Sequence, residues 1–310
     1  MLSQRELCIR ALNLNFENPL AWYTLGFIMA DDELVGGVTK YTRRECLIKA
    51  IQNKPTYPEA WVQLGSILSP VDVIVVGDHG KFSQKACYIK ALDQDVAYGL
   101  GWCRLGIALS RGEAVVVKGD KVTKKMCLVK SVELDPTSDL AWFTLGNSLV
   151  PDEVISLGDK KWGKKECLAK AVELNATYDV AWSTLGDMLA PKEIVSVGDE
   201  KLNANQCFAK ALSINETLTD LWFNLFGSMD EDEVLTIGGA KYKQHHCLMK
   251  VDILDMDVKD ANAWSNIGDQ LVDEGDSIPI GKSVFNQKQC YEMALKIDPK
   301  NAAALSFFKK

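Results

Sequence analysis

Nine cysteines are the side chains of this 310-residue chain with the widest chemical range, as nucleophiles, metal ligands or disulfide partners. Eight of them recur at intervals of 38 to 43 residues, at Cys8, Cys46, Cys87, Cys127, Cys167, Cys207, Cys247 and Cys290. Each stands alone in its interval, without the CxxC partner that zinc sites use. The spacing therefore predicts a small buried residue repeated with the fold, and no disulfide framework. Cys103 lies outside this register, directly after Trp102, and could be exposed.

His245-His246-Cys247 is a second group with metal-binding side chains. Adjacent residues of a helix point in different directions, and no HxxxH or CxxC partner stands nearby, so we expect no metal and no cofactor. The recurring Gly-Asp pairs lack the GxxxxGK[ST] and GxGxxG patterns of phosphate-binding loops. With three histidines and no nucleophile motif, we expect no catalytic residue and no enzyme activity. Lysine pairs such as Lys124-Lys125 and Lys164-Lys165 are interpreted as solvated helix starts that could also form a basic row.

The composition is that of a folded protein, with 47% hydrophobic and 25% charged residues. The net charge of −7 argues against a dedicated nucleic-acid-binding protein, which normally has a basic surplus. No apolar run approaches the roughly 20 residues that span a bilayer, and the N-terminal residues lack the apolar core of a signal peptide. We therefore expect a cytoplasmic protein in a reducing compartment, with no membrane or nucleic-acid partner.

Tryptophan keeps the same period as cysteine. Seven tryptophans recur at intervals of 39 to 42 residues, at Trp22, Trp61, Trp102, Trp142, Trp182, Trp222 and Trp264. A self-similar period of about 40 residues is typical of repeat architectures. We interpret residues 1–310 as a single repeat array: a half repeat at 1–15, repeats at about 16–54, 55–95, 96–135, 136–175, 176–215, 216–257 and 258–298, and a partial repeat at 299–310.

Each repeat contains two segments with helical spacing of apolar residues, which we name helix A and helix B. In residues 136–175, Trp142 and Leu145 belong to helix A, and Cys167 and Leu168 to helix B. A glycine inside helix A costs about 1 kcal/mol relative to alanine. Its recurrence predicts that another helix packs too closely for a side chain, at Gly26, Gly65, Gly106, Gly146, Gly186 and Gly268.

The segment between helix A and helix B has strand character. Residues 73–78, 154–159 and 194–199 read VIVVGD, VISLGD and IVSVGD. β-Branched residues that end in Gly-Asp indicate a β-hairpin, although an irregular loop with apolar residues against the helices is the alternative. Because strand spacing and helix spacing are similar, we also consider that successive hairpins pair into one continuous ribbon.

The Trp-x-x-Leu-Gly core of helix A and the Cys-Leu-x-Lys-Ala ending of helix B resemble the tetratricopeptide repeat (TPR) family. The resemblance covers essentially the whole chain, but the family repeat has 34 residues, so about six extra residues lie between helix A and helix B. It implies a mainly α fold, a right-handed α-solenoid (superhelix) of TPR-like helix pairs, here with short β-hairpins that link helix A to helix B.

The resemblance also implies a non-enzymatic scaffold that binds a peptide or helical segment along a concave face formed by helix A. The positions after each tryptophan, and four residues further on, would line this face. They include Tyr23, Phe27, Val62, Cys103, Ile107, Phe143, Asn147, Asp187, Phe223 and Asp269. The first half of the set is apolar and aromatic, and the second half is polar and acidic. The alternative is that these residues pack against the next repeat.

A second function remains open. Repeat arrays need polar caps at their ends, and neither end of this sequence has an evident one. Open ends that stack head to tail would give a self-assembling structural solenoid. An enzyme, or an enzyme's recruiting arm, is the third and least supported class.

Overall fold

The computed structural model describes residues 2–31, 33–35, 40–271 and 275–309. Within these ranges the chain forms sixteen α-helices in alternating A and B positions. Helix A corresponds to α2 (Pro19–Ile28), α4 (Pro58–Ser66), α6 (Gly99–Ala108), α8 (Asp139–Ser148), α10 (Asp179–Asp187), α12 (Thr219–Ser228), α14 (Ala261–Gln270) and α16 (Ala302–Phe307). Helix B corresponds to α1 (Gln4–Leu14), α3 (Arg43–Asn53), α5 (Gln84–Gln94), α7 (Lys124–Leu134), α9 (Lys164–Leu174), α11 (Ala204–Ile214), α13 (Gln244–Asp255) and α15 (Gln287–Ile297).

A β-hairpin stands between helix A and helix B seven times in the described ranges. Its strands are β1 (Leu34–Val35), β2 (Tyr41–Thr42), β3 (Val73–Val75), β4 (Lys81–Ser83), β5 (Ala114–Val117), β6 (Asp120–Thr123), β7 (Ile155–Leu157), β8 (Lys160–Trp162), β9 (Val195–Val197), β10 (Glu200–Leu202), β11 (Leu235–Ile237), β12 (Ala240–Tyr242), β13 (Ser277–Ile280) and β14 (Ser283–Asn286). The hairpin prediction is confirmed, although the turn of the first one, residues 36–39, lies outside the described residues. Gly158 and Gly198 occupy their turns at φ +59° and +56°, which favours glycine.

Contacts divide the chain into two compact units, residues 1–174 and 175–310. The order of helix A, hairpin and helix B is the same in both. The first unit contains α1 to α9, and the second contains α10 to α16. A single array over residues 1–310, with the handedness of a superhelix, stays a prediction.

The hypothesis of a continuous hairpin ribbon is wrong within each unit, because every described sheet contains two strands. Two of the hairpins lie instead against helix B of the preceding repeat in the same unit. Thus β5 contacts α5, and β11 contacts α11. The backbone N–H of Gly238, in the turn after β11, donates to Ser213 Oγ of α11 at 2.9 Å. Because a helix takes up this side of the hairpin, the edges of successive hairpins do not meet.

The register tryptophans join helix A to the turn before it, and five of them also contact the hairpin. Each is at most 4% exposed. Each indole Nε1 donates, at 2.6 to 3.0 Å, to the backbone carbonyl six residues earlier, in the turn that precedes helix A: Phe16, Pro55, Val96, Pro136, Ala176, Glu216 and Val258. In five repeats the ring also packs on an aromatic residue of the second hairpin strand: Tyr41, Phe82, Trp162, Tyr242 and Phe285. One side chain therefore fixes turn, helix and hairpin together.

The register glycines lie where helix A touches helix B. A Cβ atom on Gly106 would lie 2.7 Å from Leu128 Cδ2 and 3.4 Å from Cys127 Cβ. On Gly146 it would lie 3.1 Å from Cys167 Cβ and 3.2 Å from the carbonyl oxygen of Lys164. The predicted close helix approach is confirmed, and the register cysteine of helix B is one of its contacts. At Gly65, Gly106 and Gly146 the register cysteine is among the nearest atoms, so two small residues meet at these crossings.

Within each unit, acidic residues after helix A connect neighbouring repeats. Glu113 accepts the backbone N–H of Ser110 at 2.9 Å with one oxygen and Lys85 Nζ of α5 at 2.5 Å with the other. Lys125 of α7 pairs with Glu153 in the same way, and Arg5 pairs with Glu33. We call such a pair, whose members are 28 residues apart, an inter-repeat rung. In the second unit Asn205 donates to Glu233 at 3.0 Å in the same position.

These rungs revise the interpretation of the lysine pairs. Lys125 is the cation of a rung, and Lys124 Nζ donates to the carbonyl oxygen of Leu109 at 3.2 Å. Both side chains therefore join neighbouring elements and do not form a free basic row.

Candidate binding surface along helix A

Cysteine chemistry is suppressed by burial. All nine cysteines are buried. Burial raises the pKa of Cys46, Cys87 and Cys127 to about 12, so the thiols remain protonated near neutral pH. The expectation that Cys103 could be exposed is wrong, because its exposed fraction is 0%. Its thiol interacts with Ser131 of α7 and Thr144 of α8, and burial raises its pKa to about 11. These cysteines therefore pack the core.

The histidine pair has a partner that the sequence did not indicate. His245 Nε2 lies 2.6 Å from Asp276 Oδ2, and His246 Nε2 lies 3.3 Å from the same oxygen. Lys243 Nζ lies 3.0 Å from Asp276 Oδ1. Asp276 escaped notice because it comes from the loop before β13, 31 residues from His245 and outside the 28-residue spacing of the rungs.

His245, His246 and Asp276 are the one group of potential metal ligands found among the described residues. The hydrogen bonds of His246 do not fit a metal. Its Nδ1 accepts the backbone N–H of Lys243 at 3.1 Å, so in the neutral ring the proton resides on Nε2. A metal-bound histidine instead uses one nitrogen lone pair for the metal and donates from the other nitrogen.

The predicted surface residues fall into three classes of exposure. Side chains five positions after the tryptophan are exposed: Phe27, Ile107, Asn147, Asp187 and Asp269. Directly after the tryptophan, Phe223 is exposed over 50% of its surface, whereas Tyr23 and Phe143 are less exposed and have intermediate burial. Val62 and Cys103 are buried at 1% and 0% exposure. These two side chains lie beneath the surface and do not form part of it.

Aromatic rings cluster on helix A of the first unit. The Tyr23 ring centroid lies 5.0 Å from that of Tyr57 and 6.1 Å from that of Phe27. Phe27 is 56% exposed. We call Tyr23, Phe27 and Tyr57 the aromatic patch. Sequence reasoning missed Tyr57 because it precedes helix A as its N-cap residue. Tyr98 is likewise the N-cap residue of α6, and the recurrence of tyrosine at this position could have indicated Tyr57 from the sequence.

Charged side chains border this patch. Burial, followed by the nearby charge of Glu59, raises the pKa of Tyr57 to about 12 and also raises the pKa of Tyr98. The charge of Arg104 acts on Tyr98 in the opposite direction. Arg104 Nε is buried and has no hydrogen-bond partner among the described residues. Lys54 Nζ lies 5.0 Å from the Tyr57 ring centroid, so the aromatic patch has both acidic and basic groups at its border.

A cleft opens on helix A of the second unit. It has a volume of about 760 Å³ and lies between α10, α11 and α12. Asp187, Phe223 and Asn224 line it, and the Asn224 side chain donates to Asp187 Oδ1 at 3.4 Å. Asp230 and Glu233 add carboxylates, and Lys192 adds one cation. Burial raises the pKa of Asp187. We call this site the acidic cleft; two of its lining residues, Asp187 and Phe223, were predicted from the sequence.

No protein-family model and no curated protein matches this chain. None of the helices in the described ranges has the length and apolar character needed to cross a bilayer.

Proposed function

We propose that the chain is a TPR-like, non-enzymatic scaffold that binds an extended or helical protein segment along helix A. The acidic cleft is the observation that carries this proposal. Its volume falls within the range of about 300 to 1,000 Å³ that is typical of ligand sites. It combines an exposed aromatic side chain, Phe223, with carboxylates, of which Asp187 is partly desolvated.

The two surfaces favour different kinds of side chain. The aromatic patch offers apolar area for leucine, methionine or aromatic side chains, the kind of anchor that dominates interface energetics. The acidic cleft offers carboxylates beside Phe223, which suits a lysine or arginine side chain through charge and cation–π attraction. The segment that fits this chain therefore has apolar and basic residues. A right-handed superhelix and a cytoplasmic location belong to the same proposal.

Binding of designed peptides tests the role of the acidic cleft. The probes are three fluorescein-labelled 15-residue peptides: one of leucine, phenylalanine and lysine, one with glutamate in place of lysine, and one of serine and glycine. We expect the basic apolar peptide alone to raise fluorescence anisotropy. The double variant Asp187→Asn, Phe223→Ala is expected to weaken its binding at least about tenfold, since a hot-spot contact is worth about 1.4 kcal/mol or more.

The matched control changes the same kinds of residue outside the cleft. Asp199 in a hairpin turn and Val234 before β11 are both exposed, so Asp199→Asn, Val234→Ala removes one charge and shortens one apolar side chain. All three proteins should melt alike. Equal affinity of the two double variants, or no binding of any peptide, would contradict the proposal.

Self-assembly remains the second candidate function. Leu14 is 90% exposed and Phe16 is 51% exposed in the first unit, and Phe308 is 44% exposed in the second. Such apolar side chains could join one copy to another. A sedimentation coefficient that rises with protein concentration would favour this candidate, and a constant value would leave the peptide-binding scaffold.

A further inference from the structure

Helix B begins with a reciprocal cap in several repeats. The third helical residue accepts the backbone N–H of the residue before the helix, and in α1, α3, α11 and α15 the side chain of that preceding residue also accepts a backbone N–H. The returning acceptor is a carboxylate or an amide in α1, α3, α9, α11 and α15, from Glu6, Glu45, Glu166, Gln206 and Gln289. In α13 it is an imidazole, because His246 Nδ1 accepts the N–H of Lys243 at 3.1 Å.

The surroundings of His246 are crowded with charge. The side chain is 3% exposed, and its ring centroid lies 4.2 Å from that of His245 and 6.4 Å from that of Tyr242. Asp276, itself buried, is the anion closest to it, and Lys243 pairs with the other oxygen of that carboxylate. Glu231 and Asp232, from the loop after α12, line the adjoining surface together with Lys243 and His245.

Acceptors of glutamate or glutamine keep their lone pairs throughout the neutral pH range, but an imidazole does not. A proton that binds His246 must take the Nδ1 lone pair, since Nε2 already carries one. Nδ1–H would then face the N–H of Lys243, donor against donor. The cap bond is lost, and a further positive charge is added beside Lys243 and His245.

We propose that α13 carries a proton-sensitive cap: proton binding at His246 breaks the hydrogen bond that caps the start of α13. This inference is independent of the proposed binding function. The proposal concerns the repeat of the second unit that contains α13. Among the caps described above, α13 is the one whose acceptor is an imidazole.

The direction of the pH effect follows from burial. Burial, the charge of His245 and that of Lys243 lower the pKa of His246 below its usual value of 6.5, and they outweigh the opposing charge of Asp276. The unfolded chain therefore binds the proton at a higher pH than the folded chain does. Stability from the neutral cap is fully present above about pH 6.5 and is lost as the pH falls through the lowered pKa.

Hydrogen exchange of the full-length chain tests this proposal, with rates corrected for the intrinsic effect of pH. Between pH 7.5 and 5.0 we expect protection of residues 243–250 to fall at least about threefold, as protonation of one group allows. Residues 204–214 of α11, whose cap acceptor is Gln206, provide the internal reference and should keep their protection. Equal changes in both segments, or none in residues 243–250, would overturn the proposal.

Two variants assign the effect to one histidine. His246→Gln introduces the glutamine acceptor found in α11 and α15 and should abolish the pH response. If that variant does not fold, His246→Glu, which introduces the glutamate acceptor found in α1 and α3, is used in its place. His245→Lys introduces the side chain of Lys85 and Lys125 at the matching position and should keep the response. The reverse pattern overturns the proposal. So does a rise in Tm with zinc chloride at pH 7.5 that His246→Gln removes, since it would contradict the tautomer.

Discussion

Replacing Trp61 with alanine is expected to lower the free energy of unfolding of the first unit by about 3 to 5 kcal/mol, the usual loss for a large aromatic core residue. Trp61 is 0% exposed, and its ring centroid lies 4.7 Å from that of Phe82 in β4. Its indole N–H donates to the carbonyl oxygen of Pro55 at 2.9 Å. The substitution therefore leaves a cavity and an unpaired carbonyl group at once. Urea unfolding followed by far-UV circular dichroism measures the loss.

Trp61→Phe separates the two contributions. Phenylalanine keeps an aromatic ring against Phe82 but cannot donate to Pro55, so we expect a smaller loss of about 1 to 3 kcal/mol. If alanine and phenylalanine cost the same amount, the hydrogen bond and not the packing would be the main contribution. A loss below about 1 kcal/mol for alanine would contradict the role of the tryptophan as the joint of the repeat.

The second large effect is a difference in sign between two glycine-to-alanine substitutions in helix A. Alanine favours a helix over glycine by about 1 kcal/mol. At Gly227 of α12 no atom lies within 4 Å of the added Cβ, so Gly227→Ala should gain about that amount. At Gly106 of α6 the Cβ would lie 2.7 Å from the buried Leu128 side chain. Overpacking of about 1 to 3 kcal/mol should exceed the gain, and Gly106→Ala should destabilise the chain.

Thermal melting of both variants beside the wild type measures this difference. The two substitutions change the same atom in the same kind of helix, so helix propensity cancels in the comparison. A gain in Tm for both would mean that α7 moves away from α6 at little cost. The close approach of the two helices would then be soft and would not explain the recurrence of the glycine.

Period, helix order and hairpins could be predicted because the same residues recur in every repeat. Trp142 marks a place in the packing that recurs in six other segments, and Cys167 marks one that recurs in seven. The ribbon hypothesis was wrong because spacing alone cannot show which face of a hairpin a helix covers. β11 lies against α11, and this contact takes the place of strand pairing.

The candidate surface was predicted only in part, for a related reason. Val62 and Cys103 follow a tryptophan as Phe223 does, yet they are buried whereas Phe223 is half exposed. α6 contacts both α4 and α8, so the position after the tryptophan is covered wherever neighbouring A helices approach. Asp276 could not be predicted, because the longer last repeat shifts it out of the common spacing. Features specific to one repeat lack the repetition that makes the others visible.

The inter-repeat rungs have a consequence for how the number of repeats can change. Lys85 reaches Glu113 and Lys125 reaches Glu153 over the same 28-residue separation. Excision of residues 86–125 would place Lys85 28 residues before Glu153, the same separation. Ser83 would still cap the helix, and Cys127 would occupy the register position of helix B. The shortened chain would re-form a rung from parts that already exist. Genetic loss or duplication of whole repeats can thus alter the length of this protein without the invention of a new contact.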